Sequence, residues 1–368
     1  MKTSICTLIL TSLFLGPEVF AQNGKDISWY NPSEHVVQFD GQGWENLGYN
    51  RLPRKAKKTV REAVWSLSKH SAGISIRFET DADSISVRYQ VDGNLAMHHM
   101  PATGVSGVDL YVKNNEEWLW CRGKFVFEDP IHYDFKVDVI SSKINTHQLF
   151  LPLYNSIRTF KIGVPKGSLF KFLPERSEKP IVVYGTSIAQ GACASRPGMA
   201  WTNLLSRKLD CPVVNLGFSG NGRLEPEVIA LINEIDASVF VLDCLPNLSP
   251  NHEYTEIEIK KRIEKSVNSL RAKHLGVPIL LVQHVGYSDG LVDKERKSVY
   301  ETLNRWMVET LENLKKQGVE NLYIMTKSEI GLSNDVFVDG THPTDLGMVL
   351  YATAYSKKIK AIQIENYK

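Results

Sequence analysis

Two patterns of apolar spacing divide this chain. Up to about residue 175, apolar residues alternate with polar ones, as in Ile74, Ile76 and Phe78, in Ile85, Val87 and Tyr89, in Phe135, Val137 and Val139, and in Phe160, Ile162 and Val164. A period of two buries one face of a strand and wets the other. Turn-forming clusters such as Asp81-Ala82-Asp83 and Asp92-Gly93-Asn94 separate these runs. The expectation for residues 22–175 is therefore an all-β sandwich, jelly-roll-like, with helical spacing confined to a short basic stretch from Lys55 to Glu62.

Beyond Pro174-Glu175-Arg176-Ser177-Glu178-Lys179-Pro180 the pattern changes to short, wholly apolar runs: Ile181 to Tyr184, Val213 to Leu216, Val239 to Leu242, Val277 to Val282 and Leu322 to Met325. Runs without alternation suit a parallel sheet covered on both faces. Amphipathic stretches lie between them, near Ala200 to Leu209, Pro226 to Ile235, Ile257 to His274, Lys294 to Lys316 and Asp345 to Ile359. Five strands alternating with helices predict a three-layer α/β/α domain over 176–368, with the boundary near residue 175.

A length of 368 residues exceeds what one core usually organises, which agrees with two domains. The net charge of +2 gives no reason to expect nucleic acid as a partner. Residues 1–21 read as a secretory signal: Lys2 starts it, Ile5 to Leu15 is apolar, and Val19-Phe20-Ala21 precedes the expected cut before Gln22. No apolar segment reaches the roughly 20 residues of a spanning helix. An exported protein, periplasmic or extracellular and without membrane insertion after cleavage, is expected. Cys121, Cys193, Cys211 and Cys244 match no zinc spacing and are read as free or at most singly bridged.

The candidate chemistry sits where the predicted parallel strands end. Ser187 follows the first strand in Gly185-Thr186-Ser187-Ile188-Ala189-Gln190-Gly191, a glycine-flanked turn that can expose a hydroxyl. Such a hydroxyl needs a base, and His342 in Asp339-Gly340-Thr341-His342-Pro343 can supply it, with Asp339 to orient the imidazole. Oxyanion donors are expected from the Ser187 N–H, from Gly217 after the second strand, and from Asn247 after the third. Gln283 and His284 end the fourth strand on the same rim and could touch substrate. Glu225, a helix-start carboxylate, could face the cleft. His98-His99 is read as structural, because neighbours on a strand point to opposite faces. Trp201, Phe218 and Tyr287 are read as core in preference to a sugar platform.

Ser187, Gly217, Asn247 and His342 resemble the four sequence blocks of the SGNH hydrolases, or GDSL-type lipases and esterases, over about residues 180–361. Thr186 and Ile188 depart from Gly-Asp-Ser-Leu, and Asp243-Cys244-Leu245-Pro246-Asn247 departs from Gly-x-Asn-Asp, whereas Asp-x-x-His followed by Pro is intact. Gly107-Val108-Asp109-Leu110-Tyr111 resembles the Gly-x-Asp-Leu-Tyr motif of a β-sandwich domain that precedes such hydrolases. The resemblance implies a flavodoxin-like hydrolase domain and a Ser-His-Asp esterase with no cofactor and no metal. It implies short-chain substrates, acetyl esters on small molecules or polysaccharides. A lipid esterase or thioesterase of the same fold, and a non-catalytic glycan-binding protein, are the alternatives.

Overall fold

The computed structural model describes residues 26–35, 39–138, 143–249 and 254–366. The expected signal segment and Val139 lie outside them. Among the described residues ten strands build the first half: β1 (Ile27–Tyr30), β2 (Ser75–Thr80), β3 (Ser84–Val91), β4 (Asp109–Asn114), β5 (Glu117–Cys121), β6 (Gly123–Val126), β7 (Ile131–Lys136), β8 (Asn145–Phe150), β9 (Ile157–Pro165) and β10 (Phe170–Phe172). They form two five-stranded antiparallel sheets, ordered β1-β9-β3-β7-β6 and β10-β2-β8-β4-β5. The alternation works as expected on β3, where Ile85, Val87 and Tyr89 are buried and the residues between them are not. These side chains meet Ile76, Phe78 and Leu110 of the other sheet in the sandwich core.

Between β1 and β2 the chain leaves the sandwich. A short 3-10 turn (Arg54–Lys58) and helix α1 (Glu62–Ser68) place Leu52, Ala56, Val60 and Val64 in one core with Val182, Tyr184 and Leu216 of the second half. The basic stretch is thus a cover for the α/β sheet. A single turn, α2 (Ala102–Val105), also faces the second half, where Thr103 Oγ1 donates to the Ser195 carbonyl at 2.7 Å.

The second half carries β11 (Ile181–Gly185), β12 (Val213–Gly217), β13 (Val239–Asp243), β14 (Ile279–Val282) and β15 (Leu322–Met325), all parallel, in the order β12-β11-β13-β14-β15. This is the flavodoxin-like order. Its helices are α3 (Ser187–Gln190), α4 (Trp201–Leu209), α5 (Pro226–Ile232), α6 (Glu256–Lys273), α7 (Lys294–Lys316), α8 (Lys327–Ile330) and α9 (Asp345–Asn366). Residues of α4 and α9 such as Trp201, Leu205, Met348 and Tyr355 cover one sheet face. Residues of α5, α6 and α7 such as Val228, Ile263 and Leu303 cover the other. Thr255 and Asp293 cap α6 and α7 by accepting first-turn N–H groups. Gly185 lies in register with both Gly217 and Asp243, so β11, β12 and β13 end at one level. The order of the chain reverses around β11, and the loop after it opens at that switch point.

Candidate active site

Ser187 is the first residue of α3, straight after β11. Thr186 caps the turn by accepting the Ile188 N–H at 3.4 Å, and Gly191, at φ +109, ends it. The bend needs glycine: a Cβ on Gly185 would come 2.6 Å from Ala189 Cβ, and one on Gly222 would come 2.1 Å from the Gly185 carbonyl oxygen. The Ser187 side chain is held at the rim, largely buried.

The Ser187 hydroxyl meets His342 Nε2 at 2.8 Å. On the other side of the ring, His342 Nδ1 is 2.7 Å from Asp339 Oδ2. Asp339 Oδ1 also accepts the backbone N–H groups of Thr341 and His342, at 3.0 and 2.8 Å, so the loop is folded around the carboxylate. Partial burial draws the Asp339 pKa upwards, but the His342 ring and these N–H groups outweigh it and hold the group below its ordinary value. An ionised Asp339 accepts the Nδ1–H hydrogen bond, which fixes the ring proton on Nδ1 and leaves the lone pair of Nε2 facing the serine. Such an arrangement can remove a proton from Oγ and return it.

Of the three expected oxyanion donors, two are open. The Ser187 N–H has no protein partner among the described residues. Asn247 Oδ1 accepts the Gly222 N–H at 3.1 Å, which leaves its NH₂ group as donor. Gly217 is a correction: its N–H donates to Asn215 Oδ1 at 2.9 Å, and a Cβ there would lie 2.3 Å from the Gln190 nitrogen. This glycine allows β12 to pack against α3. The loop beyond it turns at Phe218-Ser219-Gly220-Asn221, closed by the Asn221 N–H on the Phe218 carbonyl at 2.8 Å. Gly220 is exposed at φ +67, and its N–H has no partner among the described residues. Nothing in the sequence pattern separates the two glycines.

The expected substrate contacts lie elsewhere. His284 is buried beside Tyr287 and Tyr300, its Nδ1 accepts the Gly286 N–H at 2.9 Å, and burial lowers its pKa to about 3. Gln283 Oε1 accepts the Lys327 N–H at 2.9 Å, next to α8. Glu225 pairs with Arg61 and is nearly buried. β14 is two strands from β11, and the sheet carries its end away from Ser187. Trp201 and Phe218 are core, and Tyr287 packs under Arg296.

Two further residues join the site: His99, in sequence a candidate metal ligand or cleft wall set aside as structural, and Cys193, read only as a thiol. His99 sits at the corner of a tight turn in which Met97 and Met100 exchange N–H···O bonds at 2.9 and 3.1 Å, so the strand geometry that made it structural does not apply. Its ring faces that of His342, with centroids 5.9 Å apart. Cys193 lies buried behind the Asp339 loop, and burial together with that carboxylate pushes its thiol up to about 12. Among the described residues, Cys121, Cys193, Cys211 and Cys244 are all free.

A cavity of about 440 Å³ opens beside His342, walled by Leu67, Met97, His99, Tyr154, Ala192 and Asn221, hence by both halves of the chain. Arg51, fully buried, ties the halves together beneath it. Its guanidinium donates to the carbonyls of Leu67, His70, Asn215 and Gly217. Asp109 of the Gly-Val-Asp-Leu-Tyr motif makes a second tie: it accepts from Trp120 Nε1 at 2.6 Å and from the Gly198 N–H at 2.9 Å, and pairs with Arg196. The motif docks the loop after α3 onto the sandwich.

A serine, a histidine and a carboxylate joined by hydrogen bonds at the carboxyl rim of a parallel sheet define a hydrolase-type site. The comparisons give the family. Residues 178–360 match the GDSL-like lipase/acylhydrolase family, and residues 27–170 match the N-terminal GxDLY domain of SGNH-hydrolase-type esterases. A protein assigned as a GDSL-like lipase from Bacteroides ovatus ATCC 8483 is 32% identical, with a TM-score of 0.82 over 92% of this chain and 98% of its own. The chain belongs to the GDSL-like lipase/acylhydrolase family. A salicylyl-acyltransferase from a tetracycline biosynthetic pathway shares the fold at 18% identity and TM-score 0.74, covering 93% of this chain and 99% of its own. A family two carbohydrate esterase from Cellvibrio japonicus does so at 10% and 0.57, covering 94% and 100%. No match is found among curated proteins. Among the described residues no helix is long and apolar enough to cross a membrane.

Proposed function

We propose that this protein is an exported serine esterase that hydrolyses short-chain esters, acetyl foremost, on carbohydrate, with residues 22–175 as an N-terminal sandwich unit and 176–368 as the hydrolase unit. Ser187 Oγ attacks the ester carbonyl as His342 Nε2 takes its proton, and Asp339 stabilises the imidazolium. The oxyanion is met by the Ser187 N–H and the Asn247 amide, with the Gly220 N–H as the third donor in place of Gly217. Collapse of the tetrahedral intermediate breaks the carbon–oxygen bond, and the imidazolium gives its proton to the leaving alcohol. Water then repeats the sequence on the acyl-enzyme and releases the acid. No step calls on a metal or cofactor.

The observation that carries this reading is the unbroken relay, 2.8 Å from Ser187 Oγ to His342 Nε2 and 2.7 Å from Nδ1 to Asp339 Oδ2. Membership of an acylhydrolase family and the carbohydrate esterases that share the fold support it. The apolar wall of Leu67, Met97, Tyr154 and Ala192 favours a second reading, in which an acyl or alcohol group larger than acetyl fills the cavity. The test is release of acetate from a panel of acetylated polysaccharides, run beside aryl esters of increasing acyl length. Acetate release that Ser187→Ala abolishes supports the first reading. Turnover confined to long acyl chains moves the assignment to a lipid esterase or thioesterase, and no turnover of any ester removes it.

A further inference from the structure

We propose that His99, Cys193, Asp339 and His342 form a binding site for a soft divalent cation, Zn²⁺ in particular, whose occupation shuts the esterase off. The inhibitory half of this rests on the relay role of His342 argued above. The four residues offer one ligand atom each, and these atoms all lie within 4.8 Å of one another. A tetrahedral zinc site with bonds of about 2.0–2.3 Å sets its donors roughly 3.3–3.8 Å apart, so closure asks for movements of about 1 Å or less. Two imidazoles, a sulfur and a carboxylate are the donor types zinc takes, whereas Mg²⁺ takes oxygen.

Two of the donors are unengaged. Among the described residues no hydrogen bond occupies the His99 ring or the Cys193 sulfur, although His342 and Asp339 are tied to each other and to the loop. Cys193 stands in the left-handed region at φ +67, which an ordinary side chain rarely adopts, and from there its sulfur reaches the ligand group. His99 and Asp339 are exposed, which leaves a path from solvent, and His99 comes from the other half of the chain.

Binding is incompatible with the relay whichever nitrogen of His342 the metal takes. On Nε2 it occupies the lone pair that accepts from Ser187 Oγ. On Nδ1 it displaces the bond to Asp339, and the neutral imidazole then carries its proton on Nε2. In either case the thiol releases one proton to solvent and Ser187 loses its base. The cation is therefore an inhibitor that the first half of the chain helps to hold.

The experiment is a calorimetric titration of Zn²⁺ into full-length Ser187→Ala protein, in parallel with Zn²⁺ inhibition of the active protein. One ion should bind per chain and turnover should fall in step, with Mg²⁺ inert. Cys193→Ser and His99→Gln should each weaken binding by about tenfold or more and raise the inhibitory concentration equally. His99 is exposed, so its variant keeps the fold if the cysteine variant does not. Absence of binding, binding that both variants leave unchanged, or binding without loss of turnover would each overturn the proposal. Failure of the relay assignment would show separately, as ester turnover by Ser187→Ala.

Discussion

Arg51 donates to the Gly217 carbonyl oxygen at 2.6 Å, so a cation from the first half of the chain holds the strand end beside Ser187. Four carbonyl groups share this guanidinium, and Phe218 lies under it at 5.0 Å. No carboxylate accompanies it in those bonds, and burial lowers its pKa to about 9. Arg51→Met would leave buried acceptors unsatisfied, each at about 1–3 kcal/mol. A loss of at least about 3 kcal/mol in urea unfolding is expected, with Arg51→Lys intermediate because an ammonium has three donors and no planar fork. Equal stability of the Met variant and wild type would mean that the tie does not hold the two halves.

In the proposed mechanism Ser187, His342 and Asp339 act as one unit, and their losses should not add. Ser187→Ala and His342→Ala should each lower kcat on an aryl acetate by about 10⁴-fold or more, with the double variant no worse than either. Asp339→Asn should lower it by at least about 100-fold, since the carboxylate fixes the ring tautomer. Steady-state kinetics with thermal melts check this; additive losses in the double variant would argue against a shared relay.

Asn247 separates positioning from donation. Asn247→Asp keeps an oxygen for the Gly222 N–H but removes the donor, so kcat should fall about 100-fold or more with the fold retained. The glycines should part in stability. A Cβ on Gly217 meets the Gln190 nitrogen at 2.3 Å, whereas one on Gly220 meets nothing within 4 Å. Gly217→Ala should therefore lower the Tm far more than Gly220→Ala, whose cost is the left-handed φ alone, about 1–2 kcal/mol. A harmless Gly217→Ala would contradict the packing described for it.

Much of this is legible because its causes are local. The five buried parallel strands announce themselves as apolar runs, since both faces are covered, and Asp339 and His342 lie three residues apart in one loop. Arg51 carries no such mark: among 43 lysines and arginines, only the fold shows which one is buried beneath a strand end. His99 reaches His342 across the halves of the chain, and the turn that aims it has no apolar period. Gly217 and Gly220 differ only in where their N–H groups point. β5 and β6 escape a period-two pattern because exposed Trp120 and Phe125 break the alternation.

Asp243 gives a pH dependence with a definite sign. It is buried at the end of β13 with the Tyr355 hydroxyl at 2.9 Å, and burial, opposed by that hydrogen bond, raises its carboxyl from 3.8 to about 7. Burial raises neighbouring Tyr351, Tyr355 and Cys244 well above their ordinary values, so they stay neutral through this range. The folded protein thus keeps a proton on Asp243 that the unfolded chain loses above 3.8, and this contribution to stability fades as pH rises towards 7. The amide introduced by Asp243→Asn cannot ionise, while the other titrating groups are common to both proteins and cancel in the difference. The Tm of Asp243→Asn minus that of wild type should therefore rise between about pH 5 and pH 8, by several degrees, on the scale of about 2–4 °C per kcal/mol. A difference that stays flat, or falls, over this interval would show that Asp243 is ionised in the folded protein.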